Sequence, residues 1–198
     1  MEQFLRTITQ RAGEIALQHF GRAKVRATKL NPADVVTDAD VTINEYLGGE
    51  IARAYPAHGI ISEEQPELRP DAEYVWIVDP LDGTRNFATR TPLFGVIVAL
   101  ARRGELELAS IAIPTERKLY VARRGGGAEC NGERITCSAA TAWAYSYGCC
   151  GSSLRPDKVE PLSRLIRSAA DEPFWLSMFG SVAVASAFVA DGRRDWLA

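Results

Sequence analysis

The chain has 198 residues, 46% of them hydrophobic, with 23 Lys and Arg set against 25 Asp and Glu for a net charge of −2. That is apolar material for one large domain or two small ones, and the balanced charge gives no basic field to draw the protein to nucleic acid or an anionic membrane. Charges interrupt the N-terminal stretch every few residues and no run approaches membrane-spanning length, so a cytoplasmic protein is expected.

Taken in order, Glu2 to His19 carries Leu5, Ile8, Ala12, Ile15 and Ala16 at helical spacing, an amphipathic helix that Gly21 can stop. Asn31-Pro32 signals a turn. Ile43, Leu47, Ile51 and Ala54 then recur at helical intervals, so a second helix begins near Asp38 or Asp40, where an acid alone is explained by capping. His58 to Ser62 reads as a short strand with Glu63-Glu64 just beyond its end, and the Pro-containing stretch Gln65 to Asp71 reads as a loop.

Tyr74 to Val78 is β-branched and aromatic enough for a buried strand, and Pro80, which cannot donate to a ladder, should end it at Asp79. Asp79 and Asp82 then converge outside the sheet edge, beside the free amides of Gly83 and Thr84, which open the next turn and suit an anion. Acids beside anion-binding amides make chemical sense with cations between them.

Phe94 to Ala101 and Leu106 to Ile113 read as a hairpin about Arg102 to Glu105, with Lys118 to Arg123 continuing the sheet. Gly125 to Gly127 lacks the Lys-Ser or Lys-Thr of a nucleotide loop and reads as a hairpin; Asn131-Gly132 marks another tight turn. Further on, Ala142 to Tyr147 is expected to be a strand, Gly148 to Arg155 a loop, Pro156 to Ala170 a helix and Trp175 to Met178 a strand. A buried Ala- and Val-rich helix runs from Gly180-Ser181 to Ala190.

The four cysteines, Cys130, Cys137, Cys149 and Cys150, lack zinc-site spacing and fit reduced thiols, mostly buried. With only His19 and His58, and no G-x-S-x-G elbow, a histidine-activated nucleophile has little support. Asp40, Glu63, Asp79 and Asp82 are left at element ends. Gathered without cations they would repel and some would stay protonated, whereas hard divalent cations, magnesium or manganese, prefer such oxygen donors.

The run WIVDPLDGTRNF, Trp76 to Phe87, resembles the first signature of the inositol monophosphatase family at every fixed position. PADVVTDAD from Pro32, SEEQ from Ser62, GGGAECNGERITCS from Gly125 and GSVAVASAFVADGRRD from Gly180 resemble further family segments in the family's order, with Ser62 where Gly is usual. The resemblance implies an α+β fold, a layered αβαβα sandwich, with a metal- and phosphate-binding half over 1–138 and an incomplete second half over 139–198. It implies two or three Mg2+ ions, with Mn2+ as a substitute. Glu63, Asp79 and the Leu81 carbonyl would hold the first, and Asp79 and Asp82 the second.

By the same resemblance Asp40 and Thr84 would polarise the attacking water, and Glu63 would join them in catalysis. Asp82, Gly83, Thr84, Gly180 and Val182 would contact the substrate. The implied activity is a phosphomonoesterase acting on a small polyol or sugar phosphate such as inositol monophosphate. Histidinol phosphate, a 3′,5′-bisphosphate nucleotide, or a non-catalytic metal- or phosphate-binding scaffold remain as alternatives. A homodimer is the family expectation, with a mobile loop over Lys29 to Asp34. The family's second signature, Trp-Asp-x-Ala-Ala-Gly, is not found by Ala198, and Asp195 falls within a preceding strand. This leads to the expectation of a C-terminally truncated fold with exposed apolar surface in its second half.

Overall fold

The fold comes from a computed structural model that describes residues 1–28, 35–151 and 156–198. Helix α1 (Glu2–His19) turns Leu5, Ile8, Ala12 and Ala16 inward, as their spacing predicts. Strands β1 (Val25–Thr28) and β2 (Val35–Thr37) form an antiparallel pair leading into helix α2 (Asp38–Ala54), which buries Ile43, Leu47 and Ile51. The expected turn at Asn31-Pro32 and the mobile loop of Lys29 to Asp34 lie outside the described residues.

Strands β3 (Gly59–Ser62), β4 (Gln65–Leu68) and β5 (Tyr74–Asp82) follow, then a short helix α3 (Thr84–Ala88). The meander β6 (Gly95–Arg102), β7 (Glu105–Ile113), β8 (Lys118–Arg123), β9 (Gly127–Cys130) and β10 (Glu133–Ile135) completes a sheet of order β10-β9-β8-β7-β6-β5-β3-β4. Only β3 and β5 pair in parallel there. The β9–β10 turn places Asn131 and Gly132 at φ 51 and 87°, the positive values a tight hairpin requires.

Two expectations fail here for related reasons. Strand β5 does not stop at Asp79 but continues to Asp82, because its pairing with β6 slips between Asp79 and Asp82. An extra residue in such a bulge is left unpaired, so the missing N–H of Pro80 costs the ladder nothing. Gln65 to Leu68 is a strand rather than a loop; it lies at the sheet edge, where Pro66 is tolerated.

The remaining strands, β11 (Tyr147–Cys150), β12 (Trp175–Met178) and β13 (Trp196–Leu197), form a parallel sheet of order β12-β11-β13, linked through helices α4 (Pro156–Ser168) and α5 (Val182–Ala190). Right-handed crossovers in that strand order put α4 and α5 on opposite faces, which gives the α+β, αβαβα layering. The strand expected over Ala142 to Tyr147 begins only at Tyr147, and Gly148 belongs to it rather than to a loop. The cause is tertiary: a Cβ at Gly148 would sit 2.1 Å from the Trp196 ring, so the ring packs on bare backbone. Asp195 lies just before β13, its carboxylate accepting from the Tyr147 amide.

One core lies between α1, α2 and the large sheet, with Trp76, Phe87, Phe94 and Leu100 fully enclosed. Each such side chain contributes roughly 1.5–3 kcal/mol by leaving water. A second lies on the other face, where Ala183, Val184 and Ala187 of α5 meet Ile113 and Tyr120. Small residues are needed there: a Cβ on Gly95 would fall 2.7 Å from that of Ala183. In the second half Tyr145, Tyr147, Trp175 and Met178 are exposed, as are Leu17, Val25, Ile77 and Leu106 in the first. All four cysteines are free, but only Cys149 and Cys150 are buried; Cys137 is exposed. Among the described residues no helix is long and apolar enough to cross a membrane.

Candidate functional site

The bulge that carries β5 past Pro80 delivers both acids of the central run to one sheet end. Asp79 has its Oδ1 turned back to the Leu81 amide, 3.2 Å away. Asp82 ends the strand, and Gly83 follows at φ 83°, a left-handed conformation that caps α3. A side chain at Gly83 would also strike the Leu93 carbonyl and Ser181, so the turn is closed on both sides. Thr84 opens α3, where the first amides have no helical acceptor.

Asp40 arrives from α2, and it does two things. Its Oδ2 accepts from the Thr37 amide at 2.8 Å and the Thr37 hydroxyl at 2.6 Å, closing the start of the helix. Its Oδ1 accepts from the Thr84 hydroxyl at 3.1 Å. That hydroxyl also lies 2.9 Å from the Leu81 carbonyl, so one proton is shared between two acceptors. Capping, the ordinary explanation for an acid here, holds together with a contact to the central run.

Asp82 is received by the start of α5. Its Oδ2 accepts from the Ala183 amide at 2.9 Å and from the Ser181 hydroxyl, and its Oδ1 from the Val182 amide at 3.1 Å. Ser181 is the N-cap, its oxygen also accepting from the Val184 amide. Val182 therefore enters through its amide, since its side chain is exposed, and Gly180 sits at the bend just before, at φ 63°. The Ser181 hydroxyl and the Ala183 amide were not singled out from sequence. The signal was present, a Ser ahead of a helical run, but its target lies 99 positions away.

The electrostatics follow from this crowding. Burial, then the charges of Asp82 and Glu63, push the Asp79 carboxyl up to about 8, with Asp40 adding to the effect. Burial also raises Asp82, against the donors from Ser181, Ala183 and Val182, and raises Asp40 against those from Thr37 and Thr84. Glu63, in the β3–β4 turn, is close enough for its charge to act on both Asp79 and Asp82.

Among the described residues no three His, Cys, Asp or Glu side chains already form a metal-binding group. The carboxylates are instead oriented by separate donors: Asp40 by Thr37 and Thr84, Asp82 by α5. The donor set still fits a hard divalent cation, because a carboxyl held near 8 by burial and then by its neighbours' charge is one whose ionisation a cation would favour. A cavity of about 550 Å³ lies elsewhere, between α1 and the β7–β8 edge, and shares no lining residue with these acids.

Comparison with known proteins agrees with this constellation. The chain is 33% identical over 192 residues to inositol monophosphatase 2 of Rattus norvegicus, covering 93% of this chain and 66% of that protein. It is 34% identical over 177 residues to the Nus factor SuhB of Escherichia coli K12, covering 86% of this chain and 65% of that one. It thus spans about two thirds of these relatives' length. The crystal structure of the extragenic suppressor protein suhB from Bartonella henselae superposes with a TM-score of 0.89 at 31% identity, over 98% of this chain and 76% of that one. The description of the inositol monophosphatase family matches residues 1–198, and the chain belongs to the inositol monophosphatase family.

Proposed function

We infer that the protein is a magnesium-dependent phosphomonoesterase acting on a small polyol or sugar phosphate, with inositol monophosphate as the model substrate. The observation that carries the reading is the crowding of Asp79 by the charges of Asp82, Glu63 and Asp40 at the sheet end where Gly83 and Thr84 begin α3. Four acids kept close at such electrostatic cost suit cations, and the amides beside them suit the anion that those cations accompany.

Glu63, Asp79, Asp82 and the Leu81 carbonyl would hold Mg2+ or Mn2+, two or three ions in all. When bound, such a cation supplies charge that neutralises phosphate oxygens, lowers the pKa of water and steadies the departing alkoxide. The chain's own residues supply the rest. The Thr84 hydroxyl, donating toward Asp40 or Leu81, has lone pairs free to accept a proton from an attacking water, and Asp40 is the next acceptor along that line. Burial raises the Asp40 pKa and with it the basicity of its carboxylate. The amides of Gly83 and Thr84 would orient the phosphate, and the Gly180–Val182 bend would face the alcohol portion. We extend the family expectation of a cytoplasmic homodimer to this chain on resemblance alone.

The test is phosphate release from inositol monophosphate, histidinol phosphate and a 3′,5′-bisphosphate nucleotide, with and without Mg2+. Mg2+-dependent release from a polyol phosphate supports the reading. Release from one of the other two alone moves the substrate class. A second reading, a metal- or phosphate-binding scaffold with little turnover, is favoured by the absence of a preformed metal-binding group among the described residues and by a relative known as a Nus factor. It predicts Mg2+ binding in calorimetry with no release from any of the three.

A further inference from the structure

Asn86, in the central run, has no part in the chemistry above, yet its side-chain amide makes three contacts. Its Nδ2 lies 2.7 Å from the Phe179 carbonyl, 2.8 Å from that of Leu93 and 3.3 Å from that of Gly180. Carbonyls only accept, so the group facing them is the amide nitrogen, whose two hydrogens are divided among three acceptors. Phe179 and Gly180 are 93 and 94 positions away, in the two residues before the α5 N-cap. On the far side of that bend Asp82 takes the Ser181 hydroxyl and the amides of Val182 and Ala183.

The segment from Phe179 to Ala183 is therefore gripped twice by residues four apart in the central run. Asn86 reads its carbonyls and Asp82 reads its donors. Neither grip has slack. Gly180 is at φ 63°, and a Cβ there would meet the Asn86 amide at 3.4 Å; one on Gly83 would fall 3.1 Å from the Ser181 Cβ. Phe179 is also held from its own sheet, its amide donating to the Cys150 carbonyl at 2.9 Å. Ser181 is 1% exposed, so water does not easily replace its hydroxyl's bond to Asp82.

We propose that Asn86 is a positioning residue of the cation site: by holding the carbonyls of Phe179 and Gly180 it sets the entry of α5 and thereby the orientation of Asp82. The proposal rests on the reading of Asp82 as a cation ligand. Asp82 Oδ2 accepts two bonds from α5 and Oδ1 one, so the carboxylate presents its remaining capacity through Oδ1 in a direction that α5 decides. If α5 loses its anchor, that direction is lost, although Asp82 itself is untouched.

The experiment uses the full 198-residue chain and two variants, Asn86→Ala, which removes the donor, and Asn86→Asp, which keeps its size and turns an acceptor toward three carbonyls. Residue-resolved hydrogen exchange is the first readout. In both variants the amides of Val182 and Ala183 should exchange faster by about ten-fold or more, the factor implied by losing a hydrogen bond to a charged group, with Val96 and Val98 in the central sheet unchanged. Calorimetric titration with Mg2+ is the second, with Kd expected to rise by about ten-fold, as for loss of an outer partner of a metal ligand. Unchanged protection at Val182 and Ala183 overturns the proposal, and so does a uniform loss across the sheet, which marks Asn86 as general fold support. Should neither variant fold, the unaltered protein decides: slow exchange of the Asn86 side-chain amide protons supports the clamp, and free exchange overturns it. Absence of Mg2+ binding by the unaltered chain would count against the cation reading, leaving the exchange pattern to decide the clamp.

Discussion

Replacing Asp79 by Asn should stabilise the metal-free protein while removing its response to Mg2+. The carboxyl is pushed from its usual 3.8 up to about 8 by burial and by the charges of Asp82, Glu63 and Asp40. Because this acid's pKa is higher in the folded state, the native chain binds more protons than the unfolded one between those values. The group's favourable contribution is complete below about 4 and is lost as pH rises toward 8. At about 1.4 kcal/mol per pKa unit the whole shift would correspond to about 6 kcal/mol, and water entering an incompletely buried site reduces this to roughly 2–4 kcal/mol at pH 7.5.

Asn keeps the shape and removes the charge. For a chain of this length that stabilisation is worth roughly 4–16 °C in Tm. The assay is thermal unfolding of chelator-treated Asp79→Asn and parent protein at pH 5 and pH 7.5, repeated with Mg2+. The variant should melt higher at pH 7.5, with a smaller difference at pH 5, and Mg2+ should raise only the parent. A variant that melts at or below the parent at pH 7.5 would refute the argument, because the charge would then be supported without a cation.

Three further expectations follow from other parts of the molecule. His58 is stacked between Tyr55 and Tyr74 and accepts from the Trp76 indole at 3.1 Å, with its pKa lowered by burial. Its contribution to stability should be present above about pH 6.5 and lost as pH falls, and Trp76→Phe should bring its NMR titration back toward 6.5. Gly148→Ala should cost about 1–3 kcal/mol in urea unfolding, because the new methyl meets the Trp196 ring. Thr84→Ala should lower kcat for the proposed phosphate release by about 10²–10⁴ with little change in Mg2+ affinity, since it removes a proton acceptor and not a cation ligand; equal kcat would exclude Thr84 from the proton path.

The first part of the chain is legible because its signals are local. The apolar spacing from Leu5 to Ala16 gives α1 with the boundaries expected, and Asn131-Gly132 gives its hairpin. What sequence reasoning misses is decided by partners far along the chain. Pro80 reads as a strand stop until β6 accommodates a bulge, and Gly148 reads as a loop until Trp196 covers it.

The site shows the same division. Asp79 and Asp82 stand out by their spacing with Gly83 and Thr84, and Asp40 is recognisable as a helix-start acid. Nothing local says that Asp40 also reaches Thr84, or that α5 delivers three donors to Asp82. Ser181 and Asn86 acquire their meaning only when residues nearly a hundred positions apart are brought together.

The central claim, that these acids form a divalent-cation site, is tested most directly by soaking crystals of the protein with Mn2+ and locating the ion by its anomalous scattering. The account predicts peaks bonded to the carboxylate oxygens of Asp79 and Asp82, with Glu63 drawn toward one of them. Crystals in which Mn2+ binds elsewhere, or nowhere, while Asp79 and Asp82 keep the arrangement described above would contradict it.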